Sequence, residues 1–337
     1  MESNALQSQL VTLMRSGDVS NFDAVLQLLL KEPHYKNSSH ERALLLDSLA
    51  TKAVDEGSVA ALALLLDSGA DVNGITNRAE RWTLLHLAAL GRHHELTALL
   101  IARGANIEAC DVYMKTPLWS AAVCGHEEAC RALLMARANP KAPDHSGRTP
   151  LHAAASTRRP EAGAVCKLLI EAGADVNATD SRGLRPLDWA LSARLFNTAD
   201  VLIASGTDLN LNVGGERPTA LFRAIYMTSA LSAAERAHVC LWLLERGANP
   251  DIKNEFGRTP VQYAMSIELP LSAAAILSFD ADPAYPLRWP VDDLIAARLT
   301  VDESLYPLDC LVRFGASDDL ITKTAQRSPA HVVERNL

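Results

Sequence analysis

Aromatic residues make up only 5% of the 337-residue chain, while hydrophobic residues of all kinds make up 48%. A core built on stacked rings is therefore excluded, and burial has to come from Leu, Ala and Val packed between thin elements. No apolar run reaches the roughly 18 residues of a membrane-spanning helix. The opening MESNALQSQL also lacks the basic segment and apolar run of a secretory leader. Both absences predict no membrane insertion and a cytoplasmic chain. An excess of positive charge is missing too: 32 Lys and Arg against 40 Asp and Glu leave −8, so no nucleic-acid partner is expected. Six cysteines, at 110, 124, 130, 166, 240 and 310, form no CxxC pair and no His/Cys cluster at zinc spacing, which predicts no metal site. GxSxG elbow, HExxH, phosphate-binding loop and dinucleotide fingerprint are all absent. No catalytic residue, cofactor or small-molecule substrate is therefore expected.

What the chain does have is repetition. The tetrapeptide Thr149-Pro150-Leu151-His152 has counterparts at Thr83-Leu84-Leu85-His86, Thr116-Pro117-Leu118-Trp119, Arg185-Pro186-Leu187-Asp188, Thr219-Ala220-Leu221-Phe222 and Thr259-Pro260-Val261-Gln262. Successive starts are 33, 33, 36, 34 and 40 residues apart. Gly173-Ala174-Asp175 recurs in step as Gly69-Ala70-Asp71, Gly104-Ala105-Asn106, Gly206-Thr207-Asp208 and Gly247-Ala248-Asn249. Thr at the head suits a helix N-cap and the following Pro suits a first turn, where no amide hydrogen is needed. Gly at the end suits a left-handed helix terminus. Two anchors in step, near a period of about 33 residues, resemble ankyrin repeats.

The resemblance implies an all-α ankyrin-repeat solenoid of about nine helix pairs, with short hairpin-like fingers between them. Residues 1–40 read as an N-terminal capping pair, with a polar loop from Pro33 to Ser39. Residues 41–286 read as repeats, degenerate over 41–80 and clear over 81–286. Residues 287–322 read as a divergent C-terminal cap and 323–337 as a tail. Insertions are placed near Arg158-Arg159-Pro160 and over Thr228 to Ala234, both between the two helices of a repeat. Cys130, Cys166 and Cys240 share one column of the second helices with Thr97, Ala199 and Ala273, and are expected to be reduced core residues. His86, His152, His93 and His126 have structural places in the repeat. Asn73 and Asn177, in GADVN, resemble asparagines modified in some animal ankyrin proteins, but are read as satisfying turn backbone.

In ankyrin proteins the partner is held by finger tips and by the inner face of the first helices. Applied to this chain, that implies a partner protein and candidate contact residues Trp82, Tyr113, Arg148, Phe256 and Arg258 at or near the fingers. Trp189, Arg223, Tyr226, Met227 and Tyr263 are the candidates on the first helices. These are residue types that dominate interface energies, at positions the stack is not expected to need for its own packing. Lys115 is expected to matter little, and Trp119 to lie buried against its own turn. The role implied is that of an adaptor, scaffold or inhibitor. A bacterial effector acting in host cytoplasm, or an immunity protein that neutralises a cognate toxin, is the first alternative. An enzyme with an unrecognised site in the insertions or the C-terminal cap is the second.

Overall fold

The computed structural model describes residues 2–77, 79–212, 218–226, 231–267 and 269–277. The proposed C-terminal cap, the tail, Cys310 and Met227 lie outside these residues. The chain divides into two compact units, residues 1–207 and 208–337.

In the first unit, helices pair in sequence: α1 (Glu2–Ser16) with α2 (Val19–Lys31), and α4 (Ser39–Asp55) with α5 (Val59–Asp67). Between these pairs lies α3 (Pro33–Asn37), where the sequence suggested a loop. Pro33 stands in its first turn and Tyr35 Oη accepts from Gln7 Nε2 of α1, so one turn of helix is held against the first helix. Then follow α6 (Leu84–Leu90) with α7 (His94–Ala102), α8 (Pro117–Cys124) with α9 (Glu127–Met135), α10 (Pro150–Ser156) with α11 (Ala162–Glu171), and α12 (Pro186–Ser192) with α13 (Phe196–Ala204). Two short strands, β1 (Ile75–Asn77) and β2 (Trp82–Thr83), pair antiparallel ahead of α6. Among the described residues this is the one hairpin-like finger that forms a strand pair.

Most of these helices are too short to persist alone in water, and packing holds them. Ala88, Ala89, Ala121, Ala122, Ala154, Ala155 and Ala190 are fully buried, which lets first helices of successive pairs approach closely. Thr97, Cys130, Cys166 and Ala199 fill the predicted column of the second helices, each without exposed surface. Burial pushes the thiols of Cys130 and Cys166 up to about 12, so neither is a thiolate near neutral pH.

Successive turns are joined by side chains. Asn73 Oδ1 accepts from the backbone N–H of Asn106 at 2.7 Å, and Glu108, in the same column one repeat later, accepts through Oε1 from Asn139 N–H at 2.8 Å. Asn73 thus satisfies turn backbone as expected, and the turn it serves is that of the next repeat.

The second helices end where the chain turns left-handed. Gly69, Gly104, Gly173 and Gly206 have φ between 82° and 103°, but Arg137 occupies the same place at φ 69°. A side chain there costs about 1–2 kcal/mol. Arg137→Gly is therefore expected to raise stability by about 0.5–1 kcal/mol, after the larger unfolded-state entropy of glycine is counted. A lower thermal midpoint for the variant would mean that Arg137 contributes elsewhere.

The second unit contains α14 (Ala220–Tyr226), α15 (Ala233–Leu244), α16 (Pro260–Ser266) and α17 (Pro270–Leu277). Its turns repeat the same joint, with Asn210 Oδ1 accepting from Asn249 N–H at 2.7 Å. Cys240 is buried and its thiol is likewise pushed up to about 12.

Candidate partner-binding surface

Three successive fingers of the first unit are each built on one carboxylate. Asp111 Oδ1 accepts from Tyr113 N and Lys115 N, Asp144 Oδ1 from Ser146 N and Arg148 N, and Asp180 Oδ1 from Arg182 N and Leu184 N, all at 2.8–3.0 Å. A short Asp closes this turn because its side chain reaches the amides two and four residues on. Neighbouring fingers are joined through backbone: Val112 N–H donates to Glu80 O, His145 N–H to Tyr113 O and Ser181 N–H to Ser146 O, at 2.9–3.0 Å. The fingers form a connected scaffold.

The heads of α6 and α10 are tied to the following finger by their fourth anchor residue, a histidine in both. His86 Nδ1 accepts from the N–H of Thr83, so Nε2 carries the proton and donates to Lys115 O at 3.0 Å. His152 repeats this with Thr149 and with Leu184 O, also at 3.0 Å. Burial lowers the pKa of both imidazoles below the usual 6.5, partly opposed by the bonds to Lys115 and Leu184. The unfolded chain therefore binds protons that these two groups refuse when folded, so stability is complete above about pH 6.5 and falls as pH drops below it. Urea midpoints should decline between pH 7 and 5, and His86→Gln with His152→Gln should flatten that slope. An unchanged slope would place the acid sensitivity on other groups.

Trp119 stands in the same column and makes no such bond. It is buried, as expected, but its indole N–H has no hydrogen-bond partner among the described residues. Its ring instead faces cations: Lys115 Nζ lies 4.3 Å from the ring centroid and the Arg148 guanidinium carbon 5.8 Å. Lys115 also lies 5.1 Å from the Tyr113 ring. Arg148 sits 5.6 Å from the ring of Trp189, and Arg182 sits 5.0 Å from the same ring. A continuous row results, Tyr113, Lys115, Trp119, Arg148, Trp189, Arg182, in which aromatic and cationic groups alternate over three fingers and two first helices. All these distances lie within the range of cation–π attraction.

The row is fixed from beneath. Arg148 donates through Nε to Asp144 Oδ2 at 3.0 Å and pairs through Nη2 at 2.8 Å. Trp189 donates its indole N–H to Asp180 Oδ2 at 3.1 Å, which leaves the ring half-buried rather than free on the surface. Among the described residues no carboxylate pairs with the Lys115 ammonium, so the residue expected to matter little is the row's unneutralised cation.

The other candidates divide sharply. Tyr113, at 50% exposure, stands out at a finger tip, whereas Trp82 is partly covered within β2. In the second unit Phe256 is 59% exposed and Tyr226 38%, and Arg258 is exposed with Nη1 donating to Ser266 Oγ at 3.1 Å. Arg223 and Tyr263 are buried, at 6% and 5% exposure, and this corrects their placement on an open face. The Tyr263 ring lies 5.5 Å from the Phe222 ring, a packing contact of α14 with α16. Position within the repeat had suggested a surface, but in this unit the column is filled by core. Lys115, Trp119 and Arg182 were not among the candidates: Lys115 and Arg182 meet rings within seven residues of themselves, and it is Arg148, facing both Trp119 and Trp189, that carries the row from one repeat to the next.

A family model described as ankyrin repeats, in three copies, matches residues 49–144 and 136–213, the stretch that carries this row.

Proposed function

Because this chain is an ankyrin repeat protein, we propose that it works as a binding module, holding a partner protein against the fingers and first helices of its first unit rather than catalysing a reaction. The observation that carries the reading is the row from Tyr113 to Arg182. Trp, Tyr and Arg are the residues whose truncation costs most at interfaces, and here their orientations are already fixed, which reduces the ordering cost of association. Trp119 adds a second argument. A buried indole without a hydrogen-bond partner is a poor choice for stability at a place where histidine is better satisfied, and such local exceptions gather at functional surfaces.

Photo-crosslinking tests the location. A benzophenone amino acid in place of Tyr113 should capture the partner in cells that make this chain natively, while the same group in place of Glu171, on the exposed side of α11, should not. Capture from position 171 alone would move the contact to the second helices.

A further inference from the structure

Resting on that reading, we propose that the partner segment held by this row is acidic: an extended peptide whose carboxylates meet Lys115, Arg148 and Arg182 on successive fingers. The three cations are the groups that the row leaves incompletely neutralised. Lys115 has rings beside it and no carboxylate among the described residues. Arg148 spends Nε and Nη2 on a single oxygen of Asp144, and the rest of its guanidinium fork keeps donors to offer. Arg182 reaches Asp180 only at 3.7 Å and its side chain is 63% exposed.

The carboxylates nearby cannot repel an acidic ligand strongly. Asp144 and Asp180 are buried, and each already accepts two backbone amides and at least one side-chain donor. Their charge is directed into the finger while the cations remain on the outside. Stacking on the rings also fixes the cations in advance, so a carboxylate gains a charge-assisted hydrogen bond without first ordering a long side chain. Bases of a nucleic acid would need open ring faces, and both tryptophan rings carry cations. A peptide carboxylate needs only the cation's free side. The exposed Tyr113 and Met114, at the tip of the first of these fingers, provide an apolar landing at one end of the row.

Panning a random twelve-residue displayed peptide library on the full chain tests the proposal. Enriched peptides should carry two or more Asp or Glu, and their affinity should fall at least about tenfold on Lys115→Glu with Arg182→Glu. Both substitutions leave the Arg148–Asp144 pair in place, and an unchanged melting curve would establish that the variant folds. Affinity should also fall as salt rises from 50 to 500 mM. Peptides that are lost on Trp189→Ala but carry no acidic residues would overturn the acidic partner while leaving the surface. Peptides indifferent to Trp189→Ala would overturn the surface as well. Failure to enrich any peptide, or tighter binding of a twelve-nucleotide oligothymidine than of the best peptide, also counts against the proposal.

Discussion

Replacing Asp188 with alanine is expected to lower stability by about 3–5 kcal/mol, among the largest losses available from one polar side chain. The reason lies in a swap at the head of α12. Where the preceding repeat places Thr149, this one places Arg185, whose side chain is fully buried, and where that repeat places His152 it places Asp188, also buried. Asp188 Oδ2 accepts from Arg185 N–H at 2.8 Å and lies 3.6 Å from Arg185 Nε, so one carboxylate caps the helix and faces a buried guanidinium. Alanine would remove both contacts and leave the charge behind. The double replacement Arg185→Thr with Asp188→His should recover most of the loss, because it restores the pair seen at Thr149 and His152. Urea unfolding of the three chains measures it. A loss below about 1 kcal/mol for Asp188→Ala would mean that other groups compensate Arg185.

The second large effect separates folding from binding. Truncating Trp119 to alanine should cost about 3–5 kcal/mol of stability, as for other large buried side chains. Changing it to histidine should cost far less, since the imidazole can accept from the Thr116 head and donate to the carbonyl of Arg148, as His86 does to Lys115. Partner affinity should nevertheless fall about tenfold in Trp119→His, because Lys115 and Arg148 lose the ring that holds them in place. Calorimetry for binding and thermal melts for folding give the two readouts. A histidine variant that keeps full affinity would remove Trp119 from the surface, and one that melts as low as the alanine variant would show that indole packing outweighs the hydrogen bonds.

The local parts of this fold were plain in the sequence because each is decided within a few residues. Thr116 caps its helix through Trp119 N–H, Thr259 does so through Gln262 N–H, and the second helices end at glycines with positive φ. Arg137 shows where that ends, since a left-handed arginine looks like any other arginine until its φ is known. The proposed partner surface was legible in part. Tyr113, Arg148 and Trp189 could be singled out by residue type and repeat position. Lys115, Trp119 and Arg182 could not, because the row they belong to is completed only by Arg148, which faces Trp119 on one side and Trp189 on the other. Arg223 and Tyr263 failed in the opposite direction: repeat position alone does not say whether a large side chain points to solvent or, like Tyr263 beside Phe222, into a neighbour.

The side-chain joints between turns have a mechanical consequence. Asn73 grips the turn at Asn106, and Glu108 grips the turn at Asn139, so each repeat in this stretch is fastened to the next by a short, local catch. Under a stretching force applied through the chain ends, such catches fail in sequence instead of together. Each failure would release one repeat of about 33 residues, which extends by roughly 110–120 Å when drawn out. The force trace of this region should then be a staircase with that tread. Its sturdiest steps would be those held by an Asn or Glu catch, and load would be shed one repeat at a time while the remaining fingers keep their shape.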